Sequence, residues 1–331
     1  MSRIDQLAEI CRHKKVYIQT HNFPDPDAIA AAFGLQKLLR LCGIEATLCY
    51  AGRIDKLSTS KMLRMFQIEM HAYDNLQEHM QESDYIICVD SQKNTGNITD
   101  FIGQEVAAID HHPTYVKSEY LYEDLRITGA CASMIAEYFV ESHLTPDCDT
   151  ATALLYGIKI DTKQFSRGVT PLDIAMFAFL YPLVDQEKLK SLEHNNIEFK
   201  DLHAYGAAIE HIRIYDTVGF SCIPFSCPDA LIATISDFIL SLEEIEISII
   251  FTSRDDGIKF SVRSEIPEVH AGELIHRTLK NFGSGGGHAG MAGGLIPKQN
   301  VPMLGEDFEN RIIQHFLEEL AQLSPKNNQN N

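Results

Sequence analysis

Apolar positions recur at helical spacing over residues 4–12, crowd into the short run Lys15-Val-Tyr-Ile-Gln-Thr-His21, and return to helical spacing over residues 28–41. The pattern predicts helix, strand, loop and helix. It then repeats: residues 44–50 read as a strand, 84–90 as a buried strand and 105–110 as another, with helical segments between. Strands alternating with helices predict an α/β fold on a mostly parallel, doubly wound N-terminal sheet. Helical patterns follow at 130–142, 149–160, 172–183 and 186–210 with no strand among them, as a cover for the sheet and a bridge between domains. From residue 212 the pattern changes. Residues 212–223 read as strand, 229–240 as helix, and 245–251 with 258–263 as a hairpin around Arg254-Asp-Asp-Gly257. A helix at 271–281, a glycine-rich loop, a strand at 294–297 and an amphipathic helix at 307–323 complete a smaller α/β C-terminal domain. Residues 324–331 read as a solvated tail.

Composition narrows the possible functions. With 331 residues the chain has room for two domains, given about 100–200 residues per domain. Its net charge of −18 repels a polyanion and argues against binding along duplex nucleic acid, while leaving room for a small anion held by metal. The most apolar runs, 173–184 and 245–251, are shorter than the about 20 residues a bilayer span requires. Residues 1–15 carry no apolar signal core, which predicts a cytoplasmic protein without a membrane partner. Eight cysteines lack any C-x-x-C pair, which argues against structural zinc and disulfides.

The chemistry is written where strands end. His21 follows the first strand, Asp90 a later one, and Asp110-His111-His112 a third. In an open α/β sheet such residues converge at the carboxyl edge, where ligands bind. The first of these loops reads His21-Asn-Phe-Pro-Asp25-Pro-Asp27, and its prolines predict that both aspartates stay outside helix. Asp161 adds a further carboxylate after residues 151–160. Taken singly, each has a plainer reading: a strand-end aspartate as a turn or cap, Pro-Asp-Pro-Asp as a helix cap, paired histidines as exposed or hydrogen-bonded. Four carboxylates in one pocket would instead need neutralising charge. Two divalent cations supply it, and a mixed oxygen and imidazole shell suits manganese. Such a pair, about 3.5–4 Å apart, clamps a phosphate and activates a water, which points to phosphoester hydrolysis.

His21-x-x-Pro-Asp25-x-Asp27-Ala28, Asp90, Asp110-His111-His112-Pro113 and Asp161-Thr162 resemble, in order, the four motifs of the DHH phosphoesterase family. Phe282-Gly-Ser-Gly-Gly-Gly-His288-Ala-Gly-Met-Ala-Gly-Gly294 resembles the glycine-rich motif of its DHH-associated C-terminal domain. In size and layout the chain is similar to the nanoRNase/pAp-phosphatase branch, which includes cyclic-dinucleotide phosphodiesterases. The resemblance implies a DHH catalytic, metal-binding domain at 1–185, a helical linker at 186–211 and a substrate-binding domain at 212–331, with the active site in the cleft between them. It also implies two metal ions, Mn2+ foremost, one held by His21, Asp25 and Asp90 and the other by Asp27, Asp90, His111 and Asp161. Asp90 would bridge them. His112 would assist at the scissile phosphate, and Asp110 would hold the histidine loop.

Gly285-Gly-Gly287-His-Ala-Gly290 satisfies G-x-G-x-x-G but follows a helix and precedes a strand, the reverse of a dinucleotide fingerprint. A Rossmann reading is rejected. Seven of the twelve residues from 283 to 294 are glycine, so the backbone can approach a ligand and offer amides to phosphate. The resemblance implies that Arg263, Gly286, Gly287 and His288 hold the far end of the substrate. The plainer reading of Arg263 is a surface arginine on a strand, and Ser284 replaces a glycine that many family members carry.

The leading expectation is hydrolysis of very short oligonucleotides or linear dinucleotides to mononucleotides. Alternatives are a pAp-type 3′-phosphatase, a cyclic-dinucleotide phosphodiesterase, an inorganic pyrophosphatase or polyphosphatase, and a non-catalytic nucleotide sensor. A homodimer is implied by the resemblance alone.

Overall fold

The computed structural model describes residues 2–54, 56–194 and 197–323, so the tail read at 324–331 lies outside the described residues. The chain divides into two compact units, Met1–Asn196 and Ile197–Asn331.

In the first unit the elements run α1 (Arg3–Cys11), β1 (Val16–Thr20), α2 (Pro26–Leu41), β2 (Ala46–Tyr50), α3 (Leu57–Met65), β3 (Met70–Ala72), β4 (Tyr85–Val89), β5 (Gln104–Asp110), β6 (Tyr122–Leu125), α4 (Cys131–Glu141), α5 (Cys148–Asp161), α6 (Pro171–Leu180) and α7 (Gln186–Glu193). The six strands form one parallel sheet in the order β3-β2-β1-β4-β5-β6. Alternate residues serve its two faces. Val16, Ile18, Ile87, Val89, Ala107 and Ile109 pack under the helices, while Tyr17, Ile86, Cys88 and Ala108 face the other way. The helices expected between residues 84–90 and 105–110 are absent: turns connect β4 to β5, and that second face is closed by Leu76, Met80 and Phe101. Among the described residues, no helix is long and apolar enough to cross a membrane.

The second unit holds α8 (Leu202–Glu210), β7 (Arg213–Tyr215), β8 (Val218–Ile223), α9 (Asp229–Leu240), β9 (Ile247–Arg254), β10 (Gly257–Ser264), α10 (Ala271–Leu279), β11 (Ser284–Gly287), β12 (Met291–Pro297) and α11 (Phe308–Leu323). Its sheet runs β11-β12-β10-β9-β8-β7, antiparallel except for β8 beside β9. Helices α10 and α11 cover one face through Leu274, Ile275 and Phe316. Helices α8 and α9 cover the other through Ala208, Ile235 and Ile239.

Three local expectations are corrected. Residues 212–223 are two strands, because Asp216 turns the chain with φ +55. The run 186–210 is broken into α7, a single 3-10 turn at Phe199–Asp201, and α8. The glycine-rich stretch is a hairpin, Ser284 to Gly287 pairing with Leu295 to Ala292, and not a loop.

Candidate metal centre

Strands β1, β4 and β5 end side by side, with Thr20 opposite Val89 and Val89 opposite Ile109. Their exits therefore share one edge, which carries His21, Asp90, and His111 with His112. Strand order reverses between β1 and β4, the crevice in which open α/β sheets bind ligands. Asp90 leaves β4 with φ +58, a left-handed conformation that aspartate tolerates better than most residues. Its Oδ2 lies 3.5 Å from His21 Nε2 and its Oδ1 3.2 Å from His111 Nε2.

The Pro-Asp-Pro-Asp segment departs from expectation. Asp25 is the N-cap of α2, its Oδ1 accepting from the Asp27 and Ala28 amides at 3.0 and 3.1 Å. Pro26 is the first helical residue, where its missing N–H costs nothing, so Asp27 lies inside the first turn. Asp27 in turn caps α4, whose own N-cap is Ala130: its Oδ2 accepts from Cys131 N at 2.7 Å and its Oδ1 from Ala132 N at 3.0 Å. Gly157 is packed against this carboxylate, since a Cβ there would lie 3.1 Å from Asp27 Oδ1.

The structure gathers these side chains into overlapping groups. His21, Asp25 and Asp90 form one, Asp27, His111 and Asp161 a second, and Asp90, His111 and His112 a third, the offered atoms of each within 4.8 Å of one another. Each imidazole is oriented by its other nitrogen. His21 Nδ1 lies 2.8 Å from Asn22 O and His111 Nδ1 3.0 Å from Thr128 O, which leaves each Nε2 facing carboxylates. His112 Nδ1 is 2.8 Å from Asp110 Oδ1, while the second Asp110 oxygen accepts from Gln92 Nε2 at 2.7 Å. Gln92 escaped the sequence reading; its only signal is its place two residues beyond Asp90.

After Asp161 the chain makes three consecutive left-handed residues, Lys163, Gln164 and Phe165, with φ of 45, 56 and 64°. Such a turn costs about 1–2 kcal/mol per residue. It is held by Gln164 N donating to Lys159 O at 2.7 Å and by the Phe165 ring against Phe177. Arg167 donates back to Asp161 O at 2.7 Å.

The charges resist one another in the metal-free state. Burial, followed by the charges of Asp90 and Asp161, pushes the Asp27 carboxyl well above its usual range. Burial, with Asp25 and Asp90, pushes Asp161 up to about 6. Burial would raise Asp25 too, but the His21 imidazole and the Ala28 amide hold it well below the carboxylate range. Burial alone would discharge His21 and His111; the facing carboxylates reverse this and push them up to about 10 and about 11. Their imidazolium contacts thus stabilise the metal-free fold fully below the unfolded histidine value of about 6.5, and that contribution is lost as pH rises through 10 and 11. Near pH 7 both rings hold protons that a metal must displace. Mn2+ uptake is therefore expected to release protons and to tighten as pH rises between about pH 7 and 9. Calorimetry in buffers of different ionisation enthalpy measures this, and heats independent of buffer would contradict it.

The donor set fits divalent metal. Among the described residues no donor is well directed at the buried Asp90 Oδ1, whose nearest polar neighbour is the His111 ring at 3.2 Å, and a cation would satisfy it. Carboxylates with two Nε2 atoms suit a hard-to-borderline ion.

Arg263, Gly286, Gly287 and His288 lie in the second unit. Arg263 is buried, its Nε donating to Asp237 Oδ1 at 2.6 Å and its Nη1 to Ser261 Oγ at 3.1 Å. Gly286 is exposed on β11, the edge strand of its sheet. Gly287 needs to be glycine: at φ +152, a Cβ would meet Met291 O at 2.5 Å. The His288 and Ala289 carbonyls accept from the first amides of α10, Gly272 and Ala271, at 3.1 and 2.7 Å.

Residues 15–159 match the DHH family N-terminal domain and residues 216–321 the DHHA1 domain. The chain belongs to the DHH family, a family of metal-dependent phosphoesterases. It is 30% identical over 284 residues to an uncharacterized protein of Methanocaldococcus jannaschii, covering 85% of this chain and 57% of that one. It is 25% identical to the cyclic-di-AMP phosphodiesterase GdpP of Bacillus subtilis, over 93% of this chain and 49% of the relative. It is 24% identical to the bifunctional oligoribonuclease and PAP phosphatase NrnA of Thermus thermophilus, over 92% and 90% of the two chains. The chain thus spans about half the length of two of these relatives and nearly all of the third. An exopolyphosphatase-related protein from Bacteroides fragilis shares the fold, with a TM-score of 0.77 at 18% identity over 97% of this chain and 96% of that one.

Proposed function

We propose that this chain is a two-metal phosphodiesterase that hydrolyses very short oligonucleotides or linear dinucleotides to mononucleotides. The observation that carries the reading is the pair of donor groups, His21–Asp25–Asp90 and Asp27–His111–Asp161, joined through Asp90 at the switch point of a parallel sheet. His21, Asp25 and Asp90 would hold one ion and Asp27, His111 and Asp161 the other, with Asp90 between them. Bound there, Mn2+ or a similar ion supplies charge for the phosphoryl oxygens and lowers the pKa of water. His112, fixed by Asp110, presents its outer nitrogen as a proton donor to the leaving oxygen. In the second unit, Arg263 and the segment Gly286–Gly287–His288 at the end of β11 would take the distal nucleotide. The match to NrnA along both units supports short linear substrates, and the match to GdpP keeps a cyclic dinucleotide as the second reading.

Product-resolved hydrolysis with Mn2+ tests this, offering pApA, pGpG, longer oligonucleotides, pAp, cyclic di-AMP and pyrophosphate side by side. Dinucleotides are expected to be cleaved fastest, to mononucleotides. Turnover of pAp or pyrophosphate alone would overturn the diesterase reading, and Mn2+ binding without turnover of any of the six would favour a sensor.

A further inference from the structure

One five-residue segment, Thr128–Ala132, touches two members of the second donor group, His111 and Asp27, and the chain neighbour of the third. The Thr128 carbonyl takes His111 Nδ1 at 3.0 Å, and the Cys131 and Ala132 amides hold the two Asp27 oxygens. Gly129 abuts Thr162, the neighbour of Asp161: a Cβ on Gly129 would lie 2.7 Å from Thr162 Cγ2. What fixes the segment is a carboxylate from another helix. Asp173, fully buried in the first turn of α6, accepts from Gly129 N at 2.9 Å and, with the same Oδ2, from Thr170 N and Oγ1 at 2.7 and 2.6 Å. Its Oδ1 accepts from Ser133 Oγ at 2.6 Å. A buried carboxylate with four hydrogen-bond donors is costly to displace, so its position sets that of the segment.

We propose that Asp173 is a positioning residue, holding Asp27 and His111 in ligand geometry through Thr128–Ala132. This rests on the reading of Asp27–His111–Asp161 as a metal site. Asp173 touches neither metal nor substrate. The Thr170 N contact belongs to the capping box of α6, in which Asp173 is the third residue, and the Thr170 Oγ1 contact is local to the same turn. The bonds to Gly129 and Ser133, 44 and 40 residues away, are the ones a cap does not need.

The test is two-site Mn2+ titration of the full chain by calorimetry, with electron paramagnetic resonance reading the coupling of the two ions. Asp173→Ala is expected to weaken one of the two sites about 10–100-fold, the usual cost of losing an outer partner, and to abolish the coupled spectrum. Gly129→Ala displaces the same segment from the other side, since its Cβ would lie 2.6 Å from Asp173 Oδ2; it is expected to weaken the same site even if Asp173→Ala does not fold. Asp173→Asn can keep its oxygen on Gly129 and turn its amide to Ser133 Oγ, so it is expected to restore the coupled spectrum. Folded Asp173→Ala or Gly129→Ala proteins that bind both ions like the wild type, with only a lower Tm, would overturn the proposal. A wild-type chain that takes up no Mn2+ would instead remove the metal reading, and this inference with it.

Discussion

Asp90→Asn is expected to fold like the wild type and to lose about 10³–10⁴-fold in turnover, the several kcal/mol that a correctly held metal pair contributes. Two properties of Asp90 separate in this variant. Its backbone sits at φ +58, and asparagine is the residue that best replaces aspartate there. Its charge is the one that Asp27 and Asp161 both feel and that faces His21 and His111. Asparagine keeps the turn and removes the charge. In the metal-free fold the loss of the Asp90 contacts to His21 and His111 is opposed by relief of its repulsion on Asp27 and Asp161, while the rise in Tm caused by Mn2+ should disappear. Asp90→Ala removes the charge too, but also puts a less tolerant residue at positive φ, costing about 1–2 kcal/mol. Thermal unfolding with and without Mn2+, beside turnover of a linear dinucleotide, measures both. An Asp90→Asn protein that keeps more than about a tenth of wild-type turnover would contradict the assignment of Asp90 to both ions.

The strands that build this edge were legible because β4 is a continuous apolar run and β1 and β5 hold the short apolar stretches Val16–Ile18 and Val106–Ile109, each strand leading to histidine or aspartate. Strand β2 was legible too, within the run 44–50, but the two edge strands of that sheet, β3 and β6, were not. Met70–Ala72 has three residues, too few to show alternation, and Tyr122–Leu125 carries Glu123 and Asp124 on an edge strand, where charge discourages further pairing. Strand β11 is serine followed by three glycines, so it has no side-chain pattern; it is defined by backbone pairing to β12.

At the site the same division holds. The residues offered to metal were marked by type and by position at strand ends, whereas their supports were not. Gln92 reaches Asp110 across 18 residues and Asp173 reaches Gly129 across 44, and each sits in an ordinary polar context. Only the fold brings such partners together. The prolines misled for a physical reason: a proline forbids the interior of a helix but favours its first position, so Pro26 opens α2 and places Asp27 inside it.

His112→Ala is expected to lower kcat about 10²–10⁴-fold, the range for a lost proton donor, while leaving Mn2+ uptake unchanged. The geometry separates it from its neighbour. His111 is buried with its Nε2 among Asp90 and Asp161, whereas His112 is partly exposed and gives its Nδ1 to Asp110. The hydrogen bond that the His112 ring donates to Asp110, opposed by burial and aided by the charge of Asp90, raises the His112 pKa. The ring therefore stays protonated to higher pH than an ordinary histidine, and the alkaline limb of kcat marks the loss of that proton. Asp110→Asn withdraws the charge that holds it. The His112 pKa should then fall, and the alkaline limb should move to lower pH while activity below the limb persists. Gln92→Ala, which frees the second Asp110 oxygen without removing its charge, should move the limb less. An Asp110→Asn profile superimposable on the wild type would show that His112 is not the titrating donor. Loss of Mn2+ binding in His112→Ala would place that ring among the ligands instead.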